Sequence, residues 1–401
     1  MSVLKRTTGI LLSGLMVFGC MSIMTTAASA VESGDYSYNV IEGEAEITGY
    51  SGKEKEVVIP EEIDGYKVTS IGEWALSEKT MEKVEIPNGV KTIGESAFAE
   101  CKNLSEVKLP ESLEQIVGGA FYYTAVKQIN LPDGIKKIYD NPFVSCENLT
   151  SINVSDNNEN FSTKNGVLYN KKQNKIIAYP NGKTDSSFTV GKKIKTIGMS
   201  AFSGAKLNKI TFKKGVKTIG DWAFSQTSIK KLSLPASLKT IGKAAFHECK
   251  KLKSVYIPTS VKSIGWGAFM DDKALTKINF KGSSKLVMEN AVFTGCYALK
   301  KVSVPQTKSC RGAMFSGCKN LKSVKISSKI KKIYSADFMG CVKLKSITVP
   351  KTVKKIGWRA LGYNYEDEEA VYKTKLVIKG YKNSAAHKYA KKNYVKFKKI
   401  G

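Results

Sequence analysis

Ile219-Gly220-Asp221-Trp222-Ala223-Phe224 is one copy of a phrase that returns along the chain as Ile93-Gly94-Glu95-Ser96-Ala97-Phe98, Ile197-Gly198-Met199-Ser200-Ala201-Phe202, Ile241-Gly242-Lys243-Ala244-Ala245-Phe246 and Ile264-Gly265-Trp266-Gly267-Ala268-Phe269. Taking the terminal Phe as anchor, with Leu in the first and last copies, the positions are Leu76, Phe98, Phe121, Phe143, Phe202, Phe224, Phe246, Phe269, Phe293, Phe315, Phe338 and Leu361. Apart from the 59-residue step between Phe143 and Phe202, the anchors are 22 to 24 residues apart. That is the period of a solenoid coil. Function therefore belongs on a repetitive surface.

Downstream of each anchor lies a short alternating run, such as Leu252-x-x-Val255-x-Ile257-Pro258 or Leu344-x-x-Ile347-x-Val349-Pro350. Period-two apolar spacing predicts a strand buried on one face, and Pro, which has no N–H to donate, ends its pairing. A second apolar pair follows, as in Val261-x-x-Ile264, and then Gly265 and Ala268 predict a tight turn into a short helical segment carrying Phe269. One coil cannot bury its own apolar residues, but neighbours stacked about 4.8 Å apart share a continuous core. The fold class expected is thus an α/β repeat: a solenoid of about twelve 22–24-residue coils with short parallel strands.

The pattern Leu-x-x-Val-x-Ile-Pro-x-x-Val-x-x-Ile-Gly-x-x-Ala-Phe-x-x-Cys resembles the BspA-like, or Treponema-type, leucine-rich repeat family of secreted bacterial surface proteins, over about residues 35 to 380. The resemblance implies a binding scaffold for surface adhesion. It also implies an N-terminal lead-in unit over 31–70 and a closing unit over 381–401, which flank a solenoid at 71–380. Within the long step, Asn165-Gly166-Val167-Leu168-Tyr169-Asn170 and Ile176-Ile177-Ala178-Tyr179 are too apolar for a linker; they predict an inserted hairpin at about 155–190 standing out from the coil.

Lys5-Arg6, the apolar run from Ile10 to Met24 and Ala28-Ser29-Ala30 have the three parts of a signal peptide over 1–30. Cys20 offers a rival lipidation site. No later run is long enough to span a membrane. The expected location is extracellular, with non-covalent association at the cell surface.

Six cysteines, Cys101, Cys146, Cys249, Cys296, Cys318 and Cys341, fall three residues after an anchor. Two readings stand: a buried thiol filling a slot in the coil, or disulfides between the neighbouring coils of Cys296, Cys318 and Cys341 in an exported protein. Cys310 stands apart, in the place of the Ile of Ile-Gly.

Charge is unevenly spread. Residues 31–150 hold 11 Lys and 22 Asp or Glu, a net −11, whereas residues 151–401 hold 51 basic and 13 acidic residues, a net +38. Seven residues before the anchor, Lys91, Lys136, Lys195, Lys217, Lys239, Lys262, Lys308, Lys331 and Lys354 form a file with about 5 Å between coils, inside a Debye length of about 8 Å. Either the file is a solvated column that keeps the rod soluble or it is a track for an extended polyanion. With only Arg6, Arg311 and Arg359 as arginines, the bidentate fork used to read nucleic acid is nearly absent. The partners expected are a host or microbial surface protein or an anionic glycan such as teichoic acid or acidic polysaccharide, with no specific nucleic acid. Trp74, Trp222, Trp266 and Trp358 occupy the variable positions before the anchor Ala, as packing over the next coil or as exposed contact surfaces.

Catalysis is not expected. His247 and His387 lie far apart, no metal-ligand spacing or cofactor motif exists, and Glu366-Asp367-Glu368-Glu369 lacks the turn glycines of a calcium loop. The alternative to a binding scaffold is a structural cell-surface component without a discrete ligand.

Overall fold

The computed structural model describes residues 30–366 and 370–401; the expected signal peptide, Cys20 and most of the acidic run at 366–369 lie outside them. The described chain winds into a β-solenoid of about fifteen turns. A regular turn contributes two parallel strands. The first is only two residues long and ends on the Ile of Ile-Gly: Thr196–Ile197, Thr218–Ile219, Thr240–Ile241 and Ser263–Ile264 pair in unbroken succession. The second is the predicted alternating run, as in Ser254–Ile257 against Lys277–Phe280.

The third wall differs from the sequence expectation. Among the described residues the one helix is α1, Ala385–Lys392, so the anchors do not sit on helices. Residues two before and two after the anchor have left-handed backbone: Ser96 and Glu100 (φ 55° and 60°), Trp222 and Gln226 (56° and 59°), Ala244 and Glu248 (46° and 53°). A left-handed residue at every fourth position breaks a right-handed helix. The anchor amides are also spent elsewhere, because Phe224 N donates to Ala245 O and Phe246 N to Ala268 O, each at 2.8 Å, in the following coil. The repeat-solenoid class stands, but it is built of strands and turns.

Stacking of the anchors forms the spine. The Phe rings lie 4.9 to 5.8 Å apart and within 19° of parallel from Phe98 to Phe143 and from Phe202 to Phe338. A buried phenyl column of this kind combines area burial with offset stacking. Tyr179 completes it on the N-terminal side of Phe202, ring centroids 5.1 Å apart, and its N–H donates to Ala201 O at 2.8 Å. The long step therefore contains an anchor of its own, which an aromatic count restricted to Phe and Leu overlooks.

The strands of the long step do not project from the rod. Phe161–Lys164, Val167–Asn170 and Lys175–Ala178 form an antiparallel unit whose last strand pairs in parallel with Thr196–Ile197, so it takes the place of a first strand. Both its faces are buried. Val167, Ile176 and Tyr179 pack into the C-terminal core, while Leu168, Ile177 and Ala178 pack into the N-terminal one. Side chains from both faces of these strands are divided between two cores, which is why the segment is too apolar for a projecting hairpin.

At this wall the first-strand ladder is interrupted after Lys137–Ile138, and three buried asparagines supply the missing bonds. Asn141 Oδ1 accepts from Phe143 N at 3.0 Å while its Nδ2 donates to Ser200 O at 3.0 Å. Asn158 Nδ2 donates to Asp133 O and Ile135 O, and its Oδ1 accepts from Asn160 N and Phe161 N. Asn181 Nδ2 donates to Ser203 O at 2.7 Å.

The ends are closed differently. Val31–Ser33, Tyr36–Ile41 and Glu44–Tyr50 form an antiparallel meander that joins the solenoid through Tyr66–Ile71. At the other end α1 buries Ala386, Tyr389 and Ala390, and Lys396–Lys399 adds the last parallel strand.

Candidate functional site

The turn between the two strands positions the file. In every coil of the file but that of Lys308, where Thr307 stands, a buried aliphatic residue, for example Val216, Leu238 or Val261, precedes the lysine, and the first strand follows it. The lysine is thereby held at the outer corner. All nine, Lys91, Lys136, Lys195, Lys217, Lys239, Lys262, Lys308, Lys331 and Lys354, are exposed.

Their backbones are bonded to one another. Lys217 N donates to Lys195 O, Lys239 N to Lys217 O, Lys262 N to Lys239 O and Lys354 N to Lys331 O, each at 2.8 Å. Four consecutive coils thus present a lysine, from Lys195 to Lys262, before Leu286 takes the corresponding place and turns inward. The hydroxyl residues Thr196, Thr218, Thr240 and Ser263 run beside them in register.

Ion pairing divides the file. Lys91 lies 3.6 Å from Glu44 and Lys136 lies 2.7 Å from Glu114, whereas Lys195, Lys217, Lys239, Lys262, Lys308, Lys331 and Lys354 have no carboxylate partner among the described residues. Further lysines of the acidic block are paired as well, Lys55 with Glu82, Lys83 with Glu106, Lys102 with Glu100, and Lys108 with Glu85. The uncompensated positive charge begins at the asparagine seam.

A second basic file was not singled out in the sequence. Lys230, Lys253, Lys300, Lys322 and Lys345 are exposed immediately before the second strand, with Lys253 N donating to Lys230 O and Lys322 N to Lys300 O at 2.9 Å. Its signal is the residue after the strand's leading Leu or Ile, as in Leu252-Lys253 and Leu344-Lys345.

The tryptophans divide too. Trp74 and Trp358, near opposite ends, are 52% and 64% exposed; Trp74 Nε1 donates to Glu73, and the Arg359 guanidinium lies 4.1 Å from the centre of the Trp358 ring. Trp222 and Trp266 are half-buried, and the Trp222 ring meets His247 edge-on at 5.5 Å. Burial lowers the His247 pKa despite the nearby carboxylates of Glu248 and Asp271. His387 stacks on Phe397 at 4.7 Å.

The seven described cysteines are free and buried. The six in the column share one geometry: the thiol donates to the anchor carbonyl of an earlier coil, Cys101 to Leu76, Cys146 to Phe121, Cys249 to Phe224, Cys296 to Phe269, Cys318 to Phe293 and Cys341 to Phe315, at 3.0 to 3.3 Å. In two coils without the Cys a threonine binds its own anchor carbonyl, Thr124 to Phe121 and Thr227 to Phe224. Burial pushes the thiols up, to about 11 for Cys101 and Cys146 and about 12 for Cys318. In the Phe269 coil Asp272 stands in the column, its Oδ1 accepting from Cys249 N at 2.8 Å, and complete burial raises its carboxyl well above the ordinary value.

With this repeat geometry established, comparison places the chain. Residues 69–185, 177–300 and 286–368 match the family model for the BspA type leucine rich repeat region. The chain belongs to the BspA-type leucine-rich repeat family. A leucine-rich repeat protein from Eubacterium ventriosum is similar to this BspA-type chain at 25% identity and TM-score 0.59, covering 85% of this chain and 98% of that one. The pneumococcal vaccine antigen PcpA aligns at 18% identity and TM-score 0.49, over 94% of this chain and 100% of that one. A leucine rich cell surface protein from Faecalibacterium prausnitzii aligns at 23% identity and TM-score 0.37, over 83% and 95%. No curated protein matches the chain. Among the described residues no helix is long and apolar enough to cross a membrane.

Proposed function

We propose that this BspA-type protein is an exported, non-enzymatic binding scaffold that holds an anionic macromolecule, an acidic polysaccharide or teichoic acid, along its lysine file at the bacterial surface. The observation that carries the reading is the run Lys195-Lys217-Lys239-Lys262, joined coil to coil through backbone bonds of 2.8 Å and lacking carboxylate partners among the described residues. Ammonium groups one coil apart lie well within a Debye length, so they repel one another and act together on an approaching anion. The adjacent row of Thr and Ser offers donors and acceptors that suit sugar hydroxyls. Export is supported by the charged, apolar and small-residue parts of residues 1–30. Binding is preferred over catalysis because the thiols are buried with raised pKa values and each histidine packs on an aromatic ring.

A glycan array probed at low and physiological salt tests the reading. Retention of uronate-bearing, sulfated or phosphate-bearing chains, weakened strongly by salt, is the expected result. Binding confined to neutral glycans, or to none at low salt, would leave a solvated column on a structural component.

A further inference from the structure

The coil anchored by Phe315 is shorter than its neighbours at one point. Phe269 lies eleven positions after Pro258 and Leu361 eleven after Pro350, but Phe315 lies only ten after Pro305. The place eight before the anchor, filled elsewhere by the buried Val216, Leu238, Val261, Ile330 and Val353, is taken by the half-buried Thr307. A coil that loses an apolar residue there packs less closely on the next.

The hydrogen bonds record the consequence. From Lys195 to Lys262 the file lysine and the following residue both donate to the previous file carbonyl, as Lys217 N and Thr218 N do to Lys195 O at 2.8 and 3.1 Å. Lys331 N and Lys332 N make neither of the corresponding bonds to Lys308 O. The first-strand ladder stops at Ser309–Cys310 and resumes at Lys332–Ile333, which pairs only with Lys355–Ile356. On the other side the second strands stay joined, Lys301–Ser303 to Ser323–Lys325. The anchor turns stay joined too, Ala313 N to Ser335 O at 2.7 Å and Phe315 N to Asp337 O at 2.9 Å, so the two coils part only at the first strand and its corner. Unlike the seam at Asn141, this break has no asparagine to fill it.

The gap is a cavity of about 420 Å³ walled by Lys308, Lys329, Lys331 and Lys332. None of these four ammonium groups has a carboxylate partner among the described residues. Lys332 Nζ rests 4.4 Å from the ring centre of Tyr334, another wall residue. The one acidic lining residue, Asp337, is committed to the backbone: its Oδ1 accepts from Met314 N at 3.1 Å and its Oδ2 from Tyr334 N at 2.7 Å. Successive amides released from a ladder and ringed by unpaired cations make a concave anion receptor.

We propose that this wedge is an oxyanion site, which seats one sulfate, phosphate or carboxylate group between Lys308 and Lys331 with the Lys331 and Lys332 amides as further donors. That the group is borne by a polymer lying on the file rests on the function proposed above; the oxyanion site itself does not.

The test uses ¹⁵N-labelled full-length protein titrated with sodium sulfate against sodium chloride of equal ionic strength, followed by a heparin-derived hexasaccharide. Saturable shifts of the Lys331 and Lys332 amides with sulfate alone are expected. Replacing Lys308→Gln together with Lys331→Gln should raise the sulfate Kd at least about tenfold, because charge-assisted bonds are the stronger ones. The charge-matched pair Lys388→Gln and Lys398→Gln on the closing unit should not. Non-saturating shifts spread over many lysines, or equal loss in both variants, would overturn the site. If sulfate saturates the wedge and the hexasaccharide fails to displace it, the wedge takes a free anion and the polymer half is wrong. A Lys217→Gln, Lys239→Gln, Lys262→Gln variant separates the two ideas further, since it should weaken hexasaccharide binding and leave sulfate binding unchanged.

Discussion

Asn141 Nδ2 donates to the carbonyl of Ser200 across 3.0 Å, although 59 residues of chain separate them. The same side chain accepts from Phe143 N through Oδ1, so it works in both directions at the point where the solenoid ladder is interrupted. Replacing Asn141→Leu would leave the buried Phe143 amide without its acceptor, and a buried unsatisfied donor costs about 1–3 kcal/mol on top of the lost bonds. Urea denaturation should show a loss of about 2–4 kcal/mol. A loss below about 0.5 kcal/mol, within the range of an ordinary surface change, would mean that the seam is not held by this residue.

The cysteine column makes a prediction that separates packing from hydrogen bonding. Because Cys318 donates to Phe293 O at 3.3 Å from a buried site, Cys318→Ala should cost about 1–3 kcal/mol through a small cavity and an orphaned carbonyl. Cys318→Ser, which keeps a donor, should cost less. A thiol reagent should react with none of the seven described cysteines until the chain unfolds, since the thiolate is the reactive form and burial opposes it. Mass spectrometry that found Cys296 linked to Cys318 in the purified protein would contradict this.

Much of this was legible beforehand for a physical reason. A core shared by stacked coils imposes one residue type at each position, so Phe224, Ile219 and Val216 could be read from repetition alone. What repetition hides is where hydrogen bonds go. The sequence Gly-x-x-Ala-Phe reads as a helical turn because small residues and an apolar anchor suit both conformations; only the inter-coil bonds of Phe224 N and its equivalents select the left-handed turns. Tyr179 escaped because it interrupts the Phe column with a different aromatic, and the wall strands escaped because burial on two faces resembles a self-contained hairpin. The lysine file was visible by spacing, but its division into paired and unpaired members depends on which carboxylates the coils bring alongside, as Glu114 beside Lys136.

Loss of stability with rising pH provides a third prediction. Burial, with Glu73 and Asp140 nearby, raises the Glu95 carboxyl from 4.5 to about 7. A carboxyl whose folded-state pKa is raised binds its proton more tightly when folded, so its ionisation destabilises the fold as pH climbs from about 4.5 through 7. Glu95→Gln should therefore raise Tm at pH 8, and the advantage should shrink to nothing near pH 4.5. An advantage that grew on acidification would show that Glu95 is held as a stabilising carboxylate instead.

The most direct test of the binding account compares two quadruple variants that lose the same total charge. Changing Lys217, Lys239, Lys262 and Lys308 to Gln removes consecutive ammonium groups from the unpaired file, whereas changing Lys171, Lys183, Lys388 and Lys398 to Gln removes four scattered ones. Affinity for heparin and for teichoic acid is measured for both across a salt series. The account predicts that the file variant loses far more affinity and shows a shallower salt dependence, because fewer counterions are released on binding. Equal losses in the two variants would show that net charge alone governs binding and that the file is not a track.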